Sequence, residues 1–163
     1  MEFLIDEVDN LNIPESLLTE LLSNVYVGEN YVEPEVAEKL FEATSVKSRG
    51  LIICAVEKKS SKLAGCVIVV PYNSFACKIA QKNESEMHLL CVDAKYRNKG
   101  LGMLLINSAI DVAKRSKNKK MILWTQQNMV QAQRLYSSVG FVYINNITRN
   151  GREFLVYEKM LNA

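Results

Sequence analysis

The sequence predicts a single α/β domain built on a mixed sheet flanked by helices. An apolar run, Met87 to Val92, passes through a glycine-bearing turn into an amphipathic run from Leu101, and then into a second apolar run, Ile122 to Thr125. Strand, helix, strand in that order is a crossover, which demands parallel pairing of the two strands. Two further pairs of short apolar runs, Leu51 to Val56 with Leu63 to Val70 and Phe141 to Ile147 with Phe154 to Met160, read as antiparallel hairpins on either side of it. The length of 163 residues, 48% apolar and 23% charged, is enough for one well-buried core and short for two.

Taken in order, Pro14 opens a run with Leu17, Leu18, Leu21, Leu22 and Val25 at helical spacing, and Pro34 opens a second with Val36, Ala37, Leu40 and Phe41. Both predict amphipathic helices. The first hairpin turns across Lys58-Lys59-Ser60-Ser61-Lys62, and Pro71 closes its second strand. Tyr72 to Ser85 has no period and reads as a loop. Asn150-Gly151 is the strongest short turn signal in the chain and joins the last two strands. There is no internal repeat and no low-complexity segment.

Composition narrows the function classes. A net charge of +2 gives no general attraction to nucleic acid. The one basic cluster, Lys114, Arg115, Lys117, Lys119 and Lys120, falls where the central helix should end, without interleaved aromatics, and reads as a solvated, dipole-complementing terminus. Cys54, Cys66, Cys77 and Cys91 show no C-x-x-C spacing, so reduced thiols and no metal are expected. No run approaches 18 apolar residues, and Met1 to Glu7 is acidic where a secretory signal would be basic, so the expected location is cytoplasmic with no membrane partner.

The most informative stretch is Arg97-Asn98-Lys99-Gly100-Leu101-Gly102. A loop feeding a helix N-terminus offers several backbone N–H groups to one anion, with the positive end of the helix dipole behind them. Glycines at 100 and 102 allow a sharp turn and close approach, and Arg97 can add a bidentate contact. The spacing is not a P-loop, and Leu105 rules out the dinucleotide G-x-G-x-x-G.

Upstream stands Glu86-Met87-His88-Leu89-Leu90-Cys91-Val92-Asp93, and downstream Ala132, Leu135-Tyr136 and Gly140-Phe141 complete A-x-x-L-Y-x-x-x-G-F. Strand, R-x-x-G-x-G, helix, strand and this second motif, from Glu86 to Phe141, together resemble the GNAT superfamily of N-acetyltransferases. The resemblance implies one acetyltransferase domain over residues 1–163. Its fold would be three layers around a mixed twisted sheet of about six or seven strands, whose central parallel pair splays apart to admit the pantetheine arm of coenzyme A. It implies acetyl-CoA as co-substrate and direct attack by a primary amine of a small molecule or peptide; a homodimer is allowed. The cofactor would lie against Leu90, Cys91 and Val92 of the strand, Arg97, Asn98, Lys99, Gly100, Leu101, Gly102 and Met103 of the loop and helix, and Met129. Relatives often carry Asn at that last position to bond the pantetheine, and Met cannot.

The chemistry explains the residue types. An amine of lysine type has a pKa near 10.4, so presenting it neutral at pH 7 costs roughly 4 to 5 kcal/mol. Glu86 occupies the family's recurrent glutamate position and is the first candidate for base. His88 is the chain's single histidine, two residues on and so on the same strand face, and is its rival. Tyr136 is the implied general acid for the departing thiolate, although Met129, Ala132, Tyr136 and Val139 share a helical face and would equally suit packing. A backbone N–H at Leu90 would meet the developing oxyanion. Cys91 is expected on the face opposite Glu86, as a buried thiol rather than an acyl carrier. The contrasting reading is a non-catalytic acyl-CoA-binding module. Nothing in Tyr26, Tyr31 or residues 72 to 85 names the acceptor.

Overall fold

The computed structural model describes residues 2–29 and 31–161, so Met1, Asn30, Asn162 and Ala163 of the expected domain lie outside it. Seven strands form one sheet: β1 (Phe3–Glu7), β2 (Leu51–Glu57), β3 (Leu63–Pro71), β4 (Glu84–Val92), β5 (Lys120–Gln126), β6 (Val142–Arg149) and β7 (Arg152–Met160). Their order is β1-β2-β3-β4-β5-β7-β6, with β4 and β5 the parallel pair and every other neighbour antiparallel. The turn between β6 and β7 places Asn150 and Gly151 at φ 51° and 75°, the left-handed pair that a two-residue hairpin requires.

Alternation along the strands splits the interior into two cores. One face, with Val67, Val69, Met87, Met121 and Leu123, packs against α4 (Leu101–Arg115) and α5 (Val130–Val139). The other, with Cys54, Cys66, Ile68, Val70 and Cys91, packs against α1 (Glu15–Tyr26), α2 (Pro34–Leu40) and α3 (Ala43–Arg49). The helix α4 buries Leu101, Leu105, Ile106, Ala109, Ile110, Val112 and Ala113 along one stripe, each large aliphatic among them contributing about 1.5 to 3 kcal/mol.

Two elements have no counterpart in the sequence reading. The strand β1 is five residues at the sheet edge, too short for its alternation to stand out, and α3 buries Val46 among polar neighbours. Among the described residues no helix is long and apolar enough to cross a membrane.

Candidate active site

The site begins as an irregularity in β4. Its register with β3 passes from Ile68↔His88 to Cys66↔Cys91, setting one extra residue in β4 against β3, and Leu89 takes φ 51°. A non-glycine residue at positive φ inside a strand marks a bulge that re-aims the chain. Tyr26, from the end of α1, donates its hydroxyl to the Leu90 carbonyl at 3.2 Å and ties the bulge to the neighbouring layer. The parallel pair separates before the bulge is reached. β4 meets β5 at Glu84↔Lys120, Ser85↔Met121 and Glu86↔Ile122 alone, while β5 stays paired with β7 as far as Gln126↔Phe154.

A cleft of about 540 Å³ opens at that splay. Of the expected cofactor residues, Leu90, Cys91, Val92, Arg97, Asn98, Gly100, Leu101, Gly102, Met103 and Met129 line it, and Lys99 does not. Asn98 and Gly100 are both left-handed, at φ 61° and 77°, and Gly100 is the N-cap of α4 with no side chain capping it. The first N–H groups of a helix have no intrahelical acceptor, so this end of α4 presents donors and dipole to the cleft. A Cβ at Gly100 would meet nothing within 4 Å, whereas one at Gly102 would stand 2.7 Å from Leu135 Cδ2. A side chain at Gly102 would thus push the end of the Leu135 side chain aside. Arg97 donates from Nε to the Val92 carbonyl at 3.1 Å and its Nη1 pairs with Glu29, a carboxylate of the opposite wall. Met129 offers no amide; its sulfur accepts from the Thr125 hydroxyl at 3.3 Å.

Glu86 is placed differently from a free carboxylate on a strand. It is fully buried, and its Oε2 accepts N–H bonds from Lys78 at 2.9 Å, Ile79 at 2.5 Å and Ala80 at 2.8 Å, with the Cys77 thiol at 3.2 Å. Burial alone would raise its pKa. The bonds from His88, Ala80, Ile79 and Cys77 more than reverse that and hold it at about 2. Cys77 moves the other way, up to about 11, through desolvation and the adjoining carboxylate.

The other carboxylate oxygen, Oε1, lies 2.8 Å from His88 Nε2. An ionised carboxylate only accepts, so Nε2 carries a proton; in the neutral imidazole the lone pair is then on Nδ1, for which no described residue is a partner. The imidazole packs edge-on against Trp124, ring centroids 4.8 Å apart. Cys91 corrects an expectation. The bulge inverts the alternation and sets it on the same face as Glu86, with its sulfur 3.7 Å from Cys66 Sγ in the buried layer.

Tyr136 serves both readings offered for it. Its ring packs against Phe141 and Tyr157 at 6.1 and 6.3 Å, yet it lines the cleft, and its hydroxyl bonds no described residue. Burial pushes the phenol's pKa up, which keeps its proton in place. Tyr26, Glu29 and Trp124 had no motif to announce them; each arrives through the packing of α1 or β5 against β4. Among the described residues no group of three or more His, Cys, Asp or Glu is placed to hold a metal ion.

The fold recurs in known proteins. Residues 16–141 match the Acetyltransferase (GNAT) family. A stretch of 92 residues is 28% identical to an uncharacterized N-acetyltransferase of Methanocaldococcus jannaschii, covering 56% of this chain and 38% of that protein's length. In fold the chain is similar to a GNAT-family acetyltransferase of Staphylococcus aureus Mu50, at TM-score 0.78 and 19% identity over 99% of this chain and all of that one. It is also similar to a Bacillus subtilis acetyltransferase in complex with CoA, at TM-score 0.69, 17% identity, and 99% and 100% coverage. An aminoglycoside 6'-N-acetyltransferase complexed with coenzyme A gives 0.71, 16%, and 98% of each chain. With the family match running from α1 through the splayed strands to the end of α5, the chain belongs to the GNAT family of acetyltransferases.

Proposed function

We propose that the protein transfers an acetyl group from acetyl-CoA to a primary amine of a small molecule or peptide, the domain of residues 1–163 acting as one catalytic unit. The observation that carries this is the cleft at the splayed strands, lined both by an uncapped helix N-terminus and by Tyr136, whose hydroxyl bonds no described residue. Two of the similar structures hold coenzyme A, which supports the same ligand here. The α4 N-terminus with Asn98, Gly100 and Arg97 would hold its pyrophosphate.

Bound acetyl-CoA supplies the thioester carbonyl that the acceptor amine attacks. His88 Nδ1 takes the amine's proton, and Glu86 fixes the imidazole in the tautomer that can do so. The Tyr136 hydroxyl delivers a proton to the leaving sulfur. The Leu90 N–H, beside the bulge, would stabilise charge on the carbonyl oxygen. This assignment moves the base from Glu86, whose oxygens are committed to five donors, to its neighbour.

Free-thiol release from acetyl-CoA across a panel of amines tests the reading, and binding without release would leave an acyl-CoA-binding module. Binding has its own expected result. Acetyl-CoA at about a hundredfold its Kd should add roughly 2.7 kcal/mol to the fold, a melting shift of about 5 to 10 °C for a domain of this size. Gly100→Asp should abolish the shift, because the open space at that position admits a carboxylate directly against the phosphates. Asp tolerates left-handed φ and caps helices well. A Gly100→Asp protein that still shifts fully on acetyl-CoA would remove this loop from the account.

A further inference from the structure

Beyond the cleft, the β6–β7 hairpin brings two arginines towards Trp124, the ring packed against His88, and Tyr31. Arg149 and Arg152 are cross-strand partners. The guanidinium of Arg149 lies 5.8 Å from the centre of the Trp124 ring, which also packs against the His88 imidazole at 4.8 Å. Arg152 Nη1 donates to the Tyr31 carbonyl at 3.3 Å, and Gln126 Nε2 donates to the same oxygen at 3.0 Å. Among the described residues no carboxylate pairs with either arginine, although three acids of the neighbouring strands are matched: Glu86 by the loop and His88, and Glu84 and Glu158 by Lys120. Two guanidinium groups without a carboxylate partner therefore stand at this end of the hairpin, one of them over the ring that packs against the proton acceptor.

From these residues we infer that the acceptor is a compact amine bearing a carboxylate a few bonds away, held by Arg149 with Arg152 while its amine faces His88. This rests on the transferase reading above and names its substrate class. The two centroid distances put the Arg149 guanidinium within about 11 Å of the imidazole. With a hydrogen bond of about 3 Å at each end, an amino acid or similarly short amino-carboxylate bridges the gap. Guanidinium groups match a carboxylate bidentately. A polycationic acceptor would instead meet two like charges on approach, so the same geometry argues against polyamines and aminoglycosides.

The test compares amines that differ in the carboxylate alone: free α-, β- and γ-amino acids beside their amides and decarboxylated counterparts, with spermidine as the cationic arm. The expected result is a kcat/KM at least about tenfold higher for the carboxylates, the size of one charge-assisted contact. In Arg149→Gln that ratio should collapse, and Arg149→Lys should restore part of it. Calorimetric titration of the N-acetylated acid into CoA-saturated protein should show the same order of affinities without any turnover. Thiol release that favours neutral amines or spermidine, or a ratio indifferent to Arg149→Gln, overturns the proposal and leaves the transferase standing. Silence with every amine overturns the transferase reading, and this proposal falls with it.

Discussion

Tyr136→Phe should lower turnover by about 10² to 10⁴ while acetyl-CoA affinity barely moves. The substitution removes one oxygen and keeps the ring, so the contacts to Phe141 and Tyr157 persist and the fold should melt as before. A packing role and an acid role therefore predict different outcomes from the same variant. The acid role has two physical supports: the residue lines the cleft with its hydroxyl unpartnered among the described residues, and burial holds its proton against loss at any working pH. The comparison is made under single-turnover conditions, where release of product cannot mask the chemical step. Unchanged single-turnover rates in Tyr136→Phe would return the residue to the core.

How far the sequence carried this site depends on the kind of signal each part left. The crossover, both hairpins and the Asn150-Gly151 turn rest on local chemistry, periodicity and left-handed φ, and each appears where its residues put it. The glycine loop is legible for the same reason, since a backbone that must turn and approach a ligand excludes most side chains. Strand periodicity was a good guide to Glu86 and His88, which precede the bulge, and failed at Cys91, which follows it. A one-residue insertion inverts every later position, and nothing in Leu89-Leu90 announces it. The environment of Glu86 was hidden more deeply. Its partners are main-chain N–H groups of Lys78, Ile79 and Ala80, which carry no residue code, so the loop's role is a matter of tertiary path alone. Arg149 and Arg152 reach the site by strand order, which places β7 and not β6 against β5.

His88→Gln should cost about 10² to 10⁴ in turnover, recovered in part as pH rises, because more acceptor then arrives already neutral. Glu86→Gln separates the positioning residue from the base. A glutamine there can turn its oxygen to the loop N–H groups and its NH₂ to His88, which would make Nε2 the acceptor and put the ring proton on Nδ1. The base would then be in the wrong tautomer. Turnover should fall in Glu86→Gln as well, and adding His88→Gln should lower it little further, since two residues acting as one unit are not additive. Stability supplies a readout that catalysis cannot imitate. The Glu86 carboxyl is depressed from an ordinary 4.5 to about 2, so its ionised form favours the fold by about 3 kcal/mol at neutral pH. A group depressed in the folded state contributes above its unfolded pKa and loses the contribution as pH falls through the folded one. The native protein should therefore lose stability between about pH 4.5 and 2, and Glu86→Gln, already weaker at pH 7, should show a flatter decline over that interval. Near-normal turnover in His88→Gln with a crippled Glu86→Gln, both still shifting on acetyl-CoA, would make Glu86 itself the base.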